Sequence, residues 1–270
     1  MRLARAERGA YLERFWEPAL FDAVRHVALS LEGLTDFPDV PELSRRLFSA
    51  TRGIALVPQV VPPKRAKKPK VHAELYDVQI RDRGLVPTRA RSWHDLMNAL
   101  VFAAYPRAKR TLHTLHAREL DRHFARHGGL PNARSRVQDV LALFDEGGVV
   151  LACERGRLEQ GNLALDRGDT ASVARLVTSG DARLLVFGHA TLEHFVLGVP
   201  LPRAASVALE ISAPSRDVQA FVEELDDALV AHAEDLATRF GAGREADAHV
   251  RPALDLEAVY ADLVTSRATR

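Results

Sequence analysis

Residues 92–129 read SWHDLMNALVFAAYPRAKRTLHTLHARELDRHFARHGG, and the fold class turns on this stretch. Ser92 followed three residues later by Asp95 predicts a capping box that opens a helix running to Tyr105. Pro106 suits the first turn of a second helix, and Gly128-Gly129-Leu-Pro131 stops that helix after His127. Two helices in direct succession point to a helix-rich chain.

Working outward, the upstream side is punctuated. Leu75, Tyr76, Val78 and Ile80 suggest a strand-like or irregular stretch ending at Gly84 and Pro87. Ile54 to Val57 reads as a short strand, followed by a loop rich in Pro and by a basic run, Lys64 to Lys70. Before it, apolar spacing through Leu20, Val24, Val27, Ala28 and Leu31, and again through Leu43, Leu47 and Phe48, predicts two helices.

Downstream, Val137, Val140, Leu141 and Phe144 predict a helix ending at Asp145-Glu146-Gly147-Gly148, and Val149 to Cys153 reads as a buried strand. Helices follow at Leu158–Leu165 and Ala171–Val177. Arg183 to Phe187 is a strand that passes through Gly188 into a helix beginning near His189. Ser206 to Ile211 adds a strand, and from Pro214 and Ser215 a long helix carries Val218, Phe221, Val222, Leu225, Leu229 and Leu236 on one face until Gly241 and Gly243. The expected fold is α+β and mostly helical, with a few short strands in a main domain over residues 1–214 and a C-terminal helical appendage over 215–270.

Composition narrows the function classes. Hydrophobic residues at 47% and charged ones at 27% exclude a wholly disordered or fibrous chain. A formal charge of +1 gives no global attraction to nucleic acid, so nucleic acid is not an expected partner and any such role would have to be local, at the basic run. That run lacks interleaved aromatics for stacking bases, and a solvated loop explains it better. Residues 215–270 hold 12 acidic and 6 basic groups, which suggests an acidic hairpin packed on a basic body. The single cysteine, Cys153, excludes an internal disulfide or a cysteine-based zinc cluster and suits a reducing compartment. No stretch reads as an export signal or approaches the ~20 apolar residues that span a bilayer, so a cytoplasmic protein is expected.

Four constellations carry chemistry. His94 and Asn98 fall one turn apart on one stripe near a helix N-terminus, with Arg89 upstream to steady an anion. Plain capping by Ser92 and Asp95 is the competing reading. His113, His116, His123 and His127 line a helix face, where a solvated polar stripe competes with metal binding, and only His116 is retained as a candidate ligand. Asp145 and Glu146, beside a glycine turn, can hold a hard cation or divide acid and base roles. His189 and Glu193 share a helical face at the end of a buried strand, where open α/β sheets place ligand crevices; a hydrogen bond between the two is the structural alternative. No Walker loop, dinucleotide fingerprint or nucleophile elbow is present.

Taken in order, Val86-Pro-Thr-Arg89, Trp93-His-Asp95, Asn98-Ala-Leu-Val101, Leu143-Phe-Asp-Glu146 and Phe187-Gly-His-Ala190 with Glu193 resemble the bacterial family known as domain of unknown function 3025, over roughly residues 53–205. The resemblance implies that His94, Asp95, Asn98, Asp145, Glu146, His189 and Glu193 belong to a shared pattern; it supplies no reaction. One departure is Gln138 before Asp139, where the pattern leads one to expect Arg.

The reading that follows is a metal-assisted hydrolase, acting on a phosphoester or another small phosphate-containing ligand. His94, Asp95, His116, Asp145, His189 and Glu193 are candidate ligands of one divalent metal ion. Glu146 is the candidate base, Asn98 a catalytic partner and Arg89 the anchor for an anionic substrate. A non-catalytic binding or scaffold protein, its polar motifs forming a hydrogen-bond network, is the alternative from another class.

Overall fold

The computed structural model describes residues 19–47, 53–59, 71–212, 218–241 and 251–268. The Lys64–Lys70 run, Phe48 and the 214–215 helix start lie outside them. Eleven α-helices and two small sheets make up the described residues, an α+β and mostly helical architecture as expected.

The helices are α1 (Arg25–Ala28), α2 (Val40–Leu47), α3 (Tyr76–Arg83), α4 (Trp93–Ala104), α5 (Pro106–His127), α6 (Arg136–Gly147), α7 (Leu158–Asp166), α8 (Thr170–Ser179), α9 (His189–Leu197), α10 (Val218–Gly241) and α11 (Leu256–Ala268). The strands are β1 (Ala55–Pro58), β2 (Leu85–Thr88), β3 (Gly148–Cys153), β4 (Ala182–Val186) and β5 (Ala205–Glu210). β1 and β2 pair in parallel, from Ala55 opposite Leu85 to Pro58 opposite Thr88. In the second sheet β3 is central, antiparallel to β4 and parallel to β5. Every residue of β3 is buried, which is what its unbroken apolar run demands.

The helical pair at the centre forms as its sequence predicts. The Ser92 hydroxyl accepts from the Asp95 N–H at 3.3 Å, but the Asp95 carboxylate does not complete a box. It turns to Arg89, accepting from the guanidinium Nε at 3.1 Å and the terminal nitrogen at 2.6 Å. α5 opens with Pro106 and closes on Gly128, whose φ of 65° is the left-handed conformation that glycine adopts without strain. The box forms instead at α6, where Ser135 accepts from the Gln138 N–H and the Gln138 side chain accepts from the Ser135 N–H at 2.9 Å. Gln138, the departure from the family pattern, is thus a capping residue.

Two expectations are corrected. The stretch around Leu75 to Ile80 is helical, α3, because packing against α5 overrides a local pattern that resembles alternation; Val78 and Ile80 are both buried. The strand comes after Gly84, as β2, whose Pro87 is tolerated on the edge of a two-stranded sheet. The first predicted helix is broken into short turns at Ala19–Phe21, Arg25–Ala28 and Leu29–Leu31. Near the C-terminus, α10 lies along α5 and α6 and α11 packs on α8, with Leu225, Leu229 and Ala233 of the first and Leu256, Val259 and Leu263 of the second all in the main core.

Candidate metal centre

Three helix ends converge. His94 is on the first turn of α4, His189 is the first residue of α9, and Asp145 and Glu146 fall in the last turn of α6, not in the turn after it. Gly188 makes the approach possible: its N–H donates to the Gly148 carbonyl at 2.8 Å, bringing the β4–α9 junction against the end of α6. A Cβ at Gly188 would stand 2.5 Å from the Glu146 carbonyl oxygen, which no other residue tolerates.

Each imidazole is held from behind. His94 Nδ1 donates to Glu193 Oε2 at 2.9 Å, and His189 Nδ1 donates to the Asp145 backbone carbonyl at 2.9 Å. A carbonyl only accepts, so His189 carries its proton on Nδ1 and its Nε2 is a lone pair. That Nε2 faces His94 Nε2 at 3.1 Å and stands 3.3 Å from Glu146 Oε2. Ligand atoms 2.0–2.1 Å from one tetrahedral ion lie roughly 3.4 Å apart. The three groups therefore fit a single divalent ion, and one ligand atom from each lies within 4.8 Å of the others. The hydrogen bonds to Glu193 and to the Asp145 carbonyl are the outer partners that metal-binding imidazoles require.

Electrostatics follow the packing. Burial, helped by the Lys109 charge, lowers the His189 pKa to about 3, so the ring is neutral and able to ligate. The hydrogen bond to Glu193 raises that of His94. Burial raises Glu146. Burial alone would raise Asp145 too, but the Lys109 ammonium outweighs it and holds the carboxyl well below the usual range.

The remaining predicted residues are placed as follows. Asp145 gives its carboxylate to Lys109, a lysine with no exposed surface, and only its carbonyl serves the centre directly. Glu193 reaches His94 instead of its helical neighbour His189. Asp95 is occupied by Arg89, and that pair, with Asn98 and His116, lines a cavity of about 830 Å³ that opens beside the three converging groups. Asp95, Asp145, His116 and Glu193 are not among the three converging groups. The histidine stripe divides: His113 and His116 are buried on the cavity wall, while His123 is half-buried and His127 is exposed. Lys109, Asp77, Tyr76 and Arg134 also belong to this region, and no motif marks them as site residues. Lys109 is one cation among many on its helix, and only its burial distinguishes it.

The family model described as protein of unknown function, DUF3025, matches residues 64–244, reaching past residue 205 into α10. No curated protein and no solved structure matches the chain.

Proposed function

The chain belongs to the DUF3025 family, whose description assigns no activity, and from the site alone we propose a metal-assisted hydrolase acting on an anionic ester, a phosphoester above all. His94, Glu146 and His189 hold one divalent ion. The observation that carries this reading is the pair of Nε2 atoms facing each other at 3.1 Å, with both Nδ1 protons committed elsewhere. Such an ion polarises a phosphoryl oxygen and makes water a nucleophile near neutral pH. Glu146 is assigned to the ion and not to proton transfer, because its Oε2 sits beside His189 Nε2.

The anionic substrate is argued from the surrounding charge. The N-terminal ends of α4 and α9, where backbone N–H groups favour anions, both point to this region. Arg134 lines the same cavity, and its charge reaches Glu146 and His116. It replaces Arg89, which is committed to Asp95, as the side chain that receives phosphoryl oxygens. Among the described residues no helix is long and apolar enough to cross a membrane, and buried Cys153, its thiol pushed up to about 11, suits the reducing cytoplasm in which we place the protein.

A second reading has one observation in its favour. With His94 protonated, its Nε2–H donates to His189 Nε2 at 3.1 Å, and the cluster becomes a structural hydrogen-bond network. Calorimetric titration with Zn²⁺, Mn²⁺ and Mg²⁺ separates the two. The hydrolase reading expects stoichiometric binding, abolished in His189→Ala and weakened about 10–100-fold in Glu193→Gln. No binding by the wild-type chain, and no thermal stabilisation by any of the three ions, leaves the network reading.

A further inference from the structure

The wall formed by α3 and α5 carries a second imidazole–carboxylate pair that the metal-assisted reading leaves unused. His113 Nδ1 donates to Asp77 Oδ1 at 2.8 Å, and the ring is fixed between Phe102, stacked at 5.4 Å, and the edge-on Tyr76. In the neutral ring, Nδ1 committed to Asp77 leaves Nε2 as an acceptor, and that atom has no hydrogen-bond partner. On the other side of the same tyrosine contact, Asn98 donates its Nδ2 to Tyr76 Oη at 3.0 Å, and its Oδ1 is likewise unpartnered. Both residues line the cavity, at 5% and 9% exposure, and both orphan atoms are shielded from bulk water. Buried polar atoms are almost always paired, so two orphans that share Tyr76 as a neighbour, each on a side chain whose other polar atom is locked, point to a partner in the cavity that brings the missing donors.

We infer that His113, oriented by Asp77, and Asn98 form a second, metal-free binding pole that accepts hydrogen bonds from hydroxyl or amino groups on the organic part of the substrate. The identity of that ligand as a substrate rests on the hydrolase reading; the pole rests on the two orphan acceptors. Together the two poles describe an ester of phosphate with a hydroxyl-bearing alcohol, anchored at its phosphoryl end by the ion and Arg134 and at its other end by hydrogen bonds. Specificity then follows from chemistry: an analogue without the donor leaves both acceptors buried and unsatisfied.

Phosphonates, which are not hydrolysed, test this. Alkylphosphonates about two to five carbons long are compared by calorimetry with chains of equal length ending in a hydroxyl or an amine, on the full chain with and without zinc. At the length that spans the cavity, the hydroxyl-ended or amine-ended compound is expected to bind about tenfold more tightly than its alkyl counterpart. Which of the two gains identifies the donor. His113→Phe, which keeps the stack on Phe102, and Asn98→Leu are each expected to erase the gain while zinc affinity stays unchanged. Absence of any gain in the wild-type chain, a comparison that needs no variant to fold, overturns the inference, as does a gain that survives both substitutions. A gain in a chain that binds no zinc removes the hydrolase reading and leaves the pole standing.

Discussion

At the scale of single residues, Gly188 decides the centre. Its missing Cβ is the space in which two backbones meet, for the atoms it would strike, the Glu146 carbonyl, the Gly148 nitrogen and the Gly147 Cα, are all main chain and have no rotamer to escape into. Gly188→Ala is therefore expected to push the start of α9 away from the end of α6 and to carry His189 from Glu146. A stability loss of roughly 1–3 kcal/mol in urea and a drop of at least about tenfold in zinc affinity are expected together. Unaltered values for both would show that the junction relaxes freely. The sequence marks Gly188 as the exit from a strand, but any turn-forming glycine looks the same. Its partner across the gap, 40 or so positions earlier in the chain, has no local signature.

At the scale of elements, α5 shows how a distant segment completes a local one. No side chain caps its N-terminus from within; the buried carboxylate of Asp226, on α10, accepts from the Arg107 N–H at 3.1 Å and the Ala108 N–H at 2.8 Å. Asp226→Ala should then cost about 1–2 kcal/mol in denaturant unfolding, as loss of a helix cap does. Asp227, mostly exposed and paired with Arg107 at the surface, should cost less than about 0.5 kcal/mol when replaced by alanine. Equal effects would mean that the cap contributes nothing beyond surface charge. Helices with their own signals, such as α4 behind Ser92 and α6 with its apolar face, are legible in the sequence. α3 was not, because its two buried aliphatic residues lie two apart and only contact with α5 selects the helix.

At the scale of the whole molecule, buried imidazoles link folding to pH. His189 and half-buried His232 have pKa values lowered from 6.5 to about 3 and about 4, mainly by burial. Both rings are neutral when folded but take up protons near 6.5 when unfolded, so their stabilising contribution is complete above 6.5 and is lost as the pH falls toward 4. His94, raised by Glu193, works in the opposite sense, but its shift is the smaller. The metal-free chain should accordingly lose urea resistance steadily between about pH 6.5 and 4. Asp145, whose carboxylate Lys109 holds ionised, adds its own loss at lower pH. His232→Phe should flatten the upper part of the profile. A stability that is level across this window would contradict the burial of both rings.

What the amino-acid string determined by itself is local: the caps, the glycine stops, the all-apolar run of β3, and which short motifs carry imidazole and carboxylate. These depend on neighbours within three or four positions, and the helical and strand periods express them directly. Which groups meet is a matter of three-dimensional packing. His94 and His189 face each other, Asp145 is surrendered to Lys109, Asp95 to Arg89, and His113 turns inward while His127 turns out. The physical reason is that those pairings are set by the packing of helix ends far apart in sequence, and close backbone approach leaves no periodic trace in the residues that permit it.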